Sequence, residues 1–130
     1  ITFRNHFAVS SDEGMNEMER VGRERFSSCF DFPLDDWQLQ AGGAIENGHN
    51  VIVCAPTGAG KTVVGEIALR YAFDMRGNKS GIYTTPLKAL SNQKFVELTQ
   101  SFGREDVGLS TGDVSINKND HFIQKITQIM

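Results

Sequence analysis

The sequence has few cysteines and no long hydrophobic run, and both absences exclude classes of protein. No apolar stretch approaches the roughly 20 residues that a membrane-spanning helix needs. The two cysteines, Cys29 and Cys54, do not form a Cys-x-x-Cys pair, which argues against a zinc site and against a disulfide framework. A length of 130 residues is enough for one domain. We therefore expect a soluble, intracellular domain with two free thiols and no membrane partner.

The sequence also lacks a dominant charge of one sign. Its formal net charge is -3, but the acids are concentrated near the start of the chain. Residues 11–46 hold nine Asp or Glu and three Lys or Arg, whereas residues 47–130 hold nine basic and seven acidic residues. Because no strongly basic region stands out, a prediction of nucleic-acid binding has to rest on local motifs.

The first 29 residues carry no motif with a chemical role. The chain starts with Ile1 rather than Met, and residues 1–11 contain no acid, as the end of an organelle transit peptide would. We favour the plainer interpretation of a ragged fragment end. Acids and bases alternate from Glu13 to Arg25, which is typical of a solvated helix or of a disordered arm. We assign residues 1–29 to a flexible N-terminal extension.

From Asp35 onward the apolar pattern predicts alternating helices and strands. Asp35 or Asp36 can cap a helix that Gly48 ends. The elements that follow are a strand buried on both faces at Val51–Ala55, a helix from Lys61 to about Phe73, a strand at Ile82–Thr85, a helix from Leu87 to about Gln100 and a strand at Val107–Ser110. This alternation with short links predicts right-handed crossovers and a parallel sheet covered by helices.

One segment has the pattern of a phosphate-binding loop, or P-loop: Ala55-Pro56-Thr57-Gly58-Ala59-Gly60-Lys61-Thr62. Gly58 and Gly60 allow the backbone to approach phosphate oxygens, and amides at a helix N-terminus favour anions. We expect Lys61 to reach the β- and γ-phosphates and the Thr62 hydroxyl to ligate Mg²⁺. Ala55 stands where the general pattern has glycine, a mild departure. The segment predicts a binding site for ATP or a related nucleotide.

Four blocks of sequence occur in a characteristic order: Phe32–Gln38, Ala55–Thr62, Thr85–Lys94 and Val107–Asp113. Together they resemble the first RecA-like domain of superfamily 2 DExH-box helicases, most closely the Ski-like RNA helicases, including plastid-type members. The resemblance covers residues 30–117, a partial helicase ATP-binding domain. It implies an incomplete α/β P-loop NTPase fold, a three-layer sandwich with a parallel sheet. Residues 118–130 depart from the family pattern, and we treat them as a divergent tail.

The resemblance implies roles for particular side chains. Gln38 matches the glutamine that reads adenine, and Phe32 matches the aromatic residue that packs on the adenine face. Without the P-loop, a solvent-facing helix residue and a core residue would be the plainer interpretations of these two. Nucleic-acid backbone contacts are implied for Pro86, Leu87, Lys88, Gln93, Thr111, Gly112 and Asp113. Ala89, Leu90 and Phe95 suit the core better. Contacts with the charged phosphates should make binding depend on salt. Because they do not read base sequence, binding should tolerate many sequences.

The resemblance implies an ATP-dependent RNA helicase, an ATP hydrolase that uses ATP and Mg²⁺ and acts on RNA. The family's Asp-Glu-x-His block does not appear, since no Asp-Glu pair follows the P-loop. The second RecA-like domain of the parent protein is also outside this sequence. We therefore expect this chain alone to hydrolyse little ATP and to be marginally stable.

Two alternatives to this function stay open. One is a P-loop kinase or transporter ATPase, which would share the phosphate loop but would have no use for the adenine clamp. The other is a non-catalytic nucleotide-binding or RNA-binding module. Plastid, nucleus and cytoplasm all stay open as the compartment.

Overall fold

The computed structural model describes residues 2–4, 7–8, 16–75, 81–116 and 124–128. The chain forms two compact units, residues 1–71 and residues 72–130, each with its own sheet. Within the described ranges, no helix has the length and apolar character that a membrane span requires. Cys29 and Cys54 are free thiols, with Cys29 half-buried and Cys54 exposed.

The first unit contains a small antiparallel sheet and three helices. Its elements are β1 (Thr2–Arg4), β2 (Phe7–Ala8), α1 (Glu17–Phe26), a 3₁₀ turn (Ser27–Cys29), α2 (Asp36–Glu46), β3 (Asn50–Ile52) and α3 (Lys61–Arg70). A π-helical turn, Tyr71–Met75, continues from α3 into the second unit. The strands are ordered β2-β1-β3, and both pairings are antiparallel. Among the described residues, the buried apolar side chains of this unit are those of Phe26, Leu39, Ala41, Ala44, Val64, Ile67 and Leu69.

Helices α1 and α2 pack closely because glycine stands at two of their contact points. A Cβ atom added at Gly22 would lie 1.8 Å from the carbonyl oxygen of Leu39, and one added at Gly43 would lie 1.8 Å from the carbonyl oxygen of Met18. At the start of α1, the Asn16 side chain accepts a hydrogen bond from the helix backbone. Part of the segment that we expected to be flexible therefore forms a helix packed against α2.

Strand β3, which leads into the P-loop, differs from the prediction in length, burial and pairing. We predicted a strand buried on both faces over Val51–Ala55, but the strand is Asn50–Ile52 and the Ile52 side chain is 56% exposed. It pairs with β1 in antiparallel fashion. The prediction of one parallel sheet is thus wrong for this strand, because a short apolar run does not specify which strand will supply its partner.

The second unit contains the parallel sheet that the alternation of elements predicted. Its elements are β4 (Ile82–Thr85), α4 (Lys88–Phe102), β5 (Val107–Ser110), β6 (Ser115–Ile116) and β7 (Gln124–Gln128). The strand order is β4-β7-β5-β6; β7 is parallel to β4 and β5, and β6 is antiparallel to β5. The positions of β4, α4 and β5 match the prediction. Strand β7 comes from residues 118–130, which we had treated as a divergent tail.

The core of the second unit is small. Leu98, Val107 and Leu109 are its buried apolar residues among those described. The prediction that Ala89 and Leu90 belong to the core is wrong, because both are exposed on α4, and Phe95 is only half-buried. Further apolar side chains are exposed at Ile82, Leu87 and Val96. This uncovered apolar surface is consistent with the marginal stability that we expect of the isolated chain.

Candidate functional site

The P-loop links β3 to α3 within the first unit. Gly58 and Gly60 have φ angles of 83° and 87°, in the left-handed region that favours glycine. The Ala59 N–H donates to the Pro56 carbonyl over 3.2 Å, which closes a turn at the start of the loop. Helix α3 begins at Lys61, so its first amides have no carbonyl of the same helix to bind. This arrangement leaves donors at the positive end of the helix, where an anion is stabilised.

The side chain of Lys61 folds back over its own loop. Its Nζ atom donates to the carbonyl oxygen of Ala55 over 2.7 Å, and the residue is exposed. A carbonyl is a neutral acceptor, whereas a phosphate oxygen is an anion that binds an ammonium group more strongly. Thr62, in the first turn of α3, is also exposed. The side chain predicted to reach the phosphates and the hydroxyl predicted to ligate Mg²⁺ are therefore both accessible.

The Gln38 side chain binds the P-loop directly. Its Nε2 donates to the Gly60 carbonyl over 3.1 Å, and its Oε1 accepts from the Asp35 N–H over 2.8 Å. The residue is 4% exposed, so it is not a solvent-facing helix residue. The spacing Asp35-x-x-Gln38 at the start of α2 is the signal of a capping box, which accounts for the bond to the Asp35 N–H. Sequence reasoning missed the contact with Gly60, which no local spacing signals.

Phe32 lies on the surface of the first unit. Its ring is 5.3 Å from the ring of Phe30 at an interplanar angle of 56°, and the residue is 45% exposed. The Arg70 guanidinium lies 5.3 Å from the Phe30 ring centroid and forms an ion pair with Glu66 at 3.4 Å. Phe32 is therefore not a core residue, and part of its surface is accessible. Sequence reasoning missed Phe30 and Arg70, because only tertiary structure brings them together.

Two buried hydroxyl groups hold the turn between β4 and α4 in the second unit. The hydroxyl oxygens of Thr85 and Ser91 are 2.6 Å apart, and Thr85 also donates to the Leu87 carbonyl over 3.1 Å. Ser91 is completely buried. These contacts fix Pro86 and Leu87, which are exposed, and the start of α4 at Lys88. Sequence reasoning missed both hydroxyl roles; the signal was a pair of hydroxyl residues on either side of a Pro-Leu turn.

The loop after β5 is a closed turn that meets the start of α4. The Thr111 N–H donates to the Val114 carbonyl over 2.8 Å, and the Val114 N–H donates to the Thr111 hydroxyl over 3.2 Å. Within this turn, the Asp113 carboxylate forms an ion pair with Lys88. Gly112, which lies between Thr111 and Asp113 in the turn, is exposed. The structure thus brings two of the segments predicted to contact nucleic acid into direct contact.

Gln93, the remaining residue predicted to contact nucleic acid, is exposed on α4. Its Nε2 donates to the Glu97 carboxylate over 2.9 Å, one turn further along the helix. It has no hydrogen bond to Lys88 or Asp113 among the contacts that the structure describes. Gln93 therefore lies on the same helix as Lys88 but does not take part in the contact between Lys88 and Asp113.

The P-loop between a strand and a helix defines the class of nucleotide-binding P-loop proteins. The family model for DEAD/DEAH box helicases matches residues 35–130. The chain belongs to the DEAD/DEAH box helicase family, whose fold is RecA-like, and the resemblance stated from the sequence blocks is confirmed. The match runs to the end of the chain and includes the residues that we had treated as a divergent tail.

Curated relatives are similar over most of this chain. The probable helicase HelY of Mycobacterium tuberculosis is 52% identical over 107 residues, which cover 82% of this chain and 12% of that protein. The DExH-box ATP-dependent RNA helicase DExH15, chloroplastic, of Arabidopsis thaliana is 41% identical over 113 residues, 87% of this chain and 10% of that protein. The ATP-dependent RNA helicase mtr4 of Schizosaccharomyces pombe is 46% identical over 101 residues, 78% of this chain and 9% of that protein. The chain thus spans about a tenth of the length of these relatives.

Proposed function

We propose that this chain is the ATP-binding and nucleic-acid-binding part of an ATP-dependent RNA helicase, which couples ATP hydrolysis to RNA unwinding or translocation. The contact between Gln38 and Gly60 carries the proposal, because it joins the glutamine that we expect to read adenine to the P-loop. Two of the relatives described above bear the name ATP-dependent RNA helicase. A P-loop kinase or transporter ATPase would have no use for this glutamine. In the parent protein, a second RecA-like domain would complete the site.

The carboxamide of Gln38 has the right groups left over to recognise adenine. A glutamine side chain has two N–H donors and two acceptor lone pairs. The bonds to Gly60 and to the Asp35 amide use one of each. One donor and one acceptor remain, and adenine offers a ring nitrogen to accept and an exocyclic amine to donate. Phe32 would pack on the adenine face, and its exposed ring is accessible for that contact.

The triphosphate would bind at the start of α3, where Lys61 would exchange the Ala55 carbonyl for phosphate oxygens. Mg²⁺ fits the exposed Thr62 hydroxyl, because this ion keeps several waters and takes phosphate oxygens along with few protein ligands. Among the described residues, no group of three or more His, Cys, Asp or Glu side chains could hold a metal on its own. When bound, Mg²⁺ would neutralise charge on the phosphates. We expect little hydrolysis from this chain, because no Asp-Glu pair follows the P-loop to orient water.

Binding and turnover measurements on the 130-residue chain test the proposed function. We expect it to bind a fluorescent ATP analogue and a labelled single-stranded RNA, and to hydrolyse ATP slowly whether or not RNA is added. Failure to bind either ligand would contradict the proposal. Strong RNA-stimulated hydrolysis would show that other groups replace the missing carboxylates.

Replacing Gln38 with alanine should remove the preference for adenine. Each hydrogen bond lost to the base is worth about 1 kcal/mol, so we expect ATP binding to weaken about tenfold or more relative to GTP binding. Loss of the bond to Gly60 should weaken the binding of both nucleotides alike, because they share the P-loop. Competition of ATP and GTP against a fluorescent ATP analogue measures both affinities. Gln100→Ala, an exposed glutamine of α4, is the control and should keep the preference. A wild-type chain that bound GTP as well as ATP would show that Gln38 does not read the base.

A further inference from the structure

The positive charge that we expect to meet RNA at the start of α4 is already paired. The Lys88 ammonium group binds the Asp113 carboxylate in the loop after β5, and the two side chains are 42% and 66% exposed. The hydrogen bond from Lys88, together with its positive charge, lowers the pKa of Asp113 below its ordinary value, so the carboxylate is ionised at neutral pH. A phosphate that binds Lys88 would therefore have to displace the Asp113 carboxylate.

Both sides of this ion pair are held by hydrogen bonds. The hydroxyls of Thr85 and Ser91 fix the turn from which Lys88 projects, and the Thr111 hydroxyl closes the turn that carries Asp113. The pair is therefore built into the geometry of the two segments.

The acid on α4, Glu97, already has partners of its own. Glu97 forms an ion pair with Lys94 and accepts a hydrogen bond from Gln93. Among the residues that the structure describes, Asp113 is the carboxylate bound to Lys88.

We propose that Asp113 is an internal counter-ion for Lys88, and that RNA binds at Lys88 by exchange of the Asp113 carboxylate for a backbone phosphate. This inference rests on the proposed function, since it assumes that α4 and the loop after β5 contact RNA. The exchange lowers the affinity for polyanions in general. It also allows a backbone contact to be released without leaving an unpaired ammonium group, which suits a protein that moves along RNA.

The exchange has a signature in the salt dependence of binding. Exposed ion pairs contribute little to stability, so folding measurements would not reveal it. A lysine that neutralises a phosphate on a single strand releases counter-ions and contributes about 0.7 to the slope of log K against log salt. When the Asp113 carboxylate is freed at the same time, it attracts cations and offsets part of that release. Lys88 should therefore contribute less than a full contact to the slope in the wild-type chain.

The test is a set of variants of the 130-residue chain, titrated with a fluorescent oligouridylate of about 10 nucleotides at salt concentrations from about 50 to 200 mM. We expect Asp113→Asn to bind on the order of threefold more tightly at low salt and to steepen the slope by up to about 0.7. Lys88→Gln should make the slope of log K against log salt shallower, and this change should be larger in the Asp113→Asn background than in the wild type. Glu105→Gln is the matched control, because it removes the same charge from the exposed loop at the other end of β5.

The possible results separate this inference from the proposed function. An unchanged slope in Asp113→Asn, with normal RNA binding by the wild type, would overturn the exchange alone. So would weaker RNA binding by Asp113→Asn, because Asp113 would then make a favourable contact of its own, for example with a ribose 2′-hydroxyl. A wild-type chain that bound no RNA would overturn both the exchange and the RNA-binding part of the proposed function.

Discussion

Replacing Lys61 with alanine should weaken ATP binding on the order of 100-fold while leaving the fold unchanged. Hydrogen bonds to charged groups contribute about 1.5–3 kcal/mol each, and the Lys61 ammonium group would contact more than one phosphate oxygen. Its partner without nucleotide is the Ala55 carbonyl, on the exposed surface of the loop. Loss of that bond should cost little stability, because the carbonyl can bind water instead.

Titration with a fluorescent ATP analogue measures the affinity of the Lys61→Ala variant, and unfolding in urea measures its stability. Arg20→Ala is the control, because it removes one exposed positive charge from α1 in the same unit. We expect the control to bind ATP as the wild type does. An unchanged ATP affinity in Lys61→Ala would contradict the assignment of the P-loop.

Patterns within single elements predicted α2, α3, α4, β4 and β5, whereas β1, β2, β6 and β7 were not predicted. Helix α4 and strands β4 and β5 have the predicted positions within two residues at either end, and α3 begins at Lys61 as the P-loop pattern requires. Each of these predictions depends on apolar spacing and turn residues within a single element. The pairing of β3 with β1 depends on a partner far away in sequence, and no local pattern encodes it.

The distinction between local patterns and partners that are distant in sequence also explains which contacts of the candidate sites were missed. The P-loop could be found from its spacing alone, whereas the role of Gln38 was implied by the resemblance to the helicase family. The contact of Gln38 with Gly60 and the ion pair of Lys88 with Asp113 join residues 22 and 25 positions apart, respectively. Only the tertiary fold brings such groups together.

Helix α1 shows why charge patterns are ambiguous. Its alternating charges suited either a disordered arm or a solvated helix. In the structure, Arg23 pairs with Glu19 and Asp36, and Arg25 pairs with Glu46, so ion pairs within α1 accompany pairs that reach α2. The arginine side chains of these pairs are about half-exposed, so we expect the pairs to contribute little to stability. The close approach at the two glycines is what favours the packed helix, and it is visible only when both helices are present.

Replacing Gly43 with alanine should destabilise the first unit by about 3 kcal/mol or more. The new Cβ would lie 1.8 Å from the Met18 carbonyl oxygen, a backbone atom that cannot rotate away. Helices α1 and α2 would have to move apart and uncover Phe26 and Leu39, which are almost completely buried. Unfolding in urea measures the loss. Gly112→Ala is the control, because a Cβ there would meet nothing within 4 Å.

The same substitution should also weaken ATP binding, for a reason that differs from the effect of Lys61→Ala. Helix α2 carries Gln38, whose side chain holds the Gly60 carbonyl, so a shift of α2 would disturb both the adenine reader and the loop. Lys61→Ala should lower affinity at constant stability, whereas Gly43→Ala should lower both. If Gly43→Ala lost stability but kept full ATP affinity, then the position of α2 would not control the nucleotide site, and the contact between Gln38 and Gly60 would be dispensable for binding.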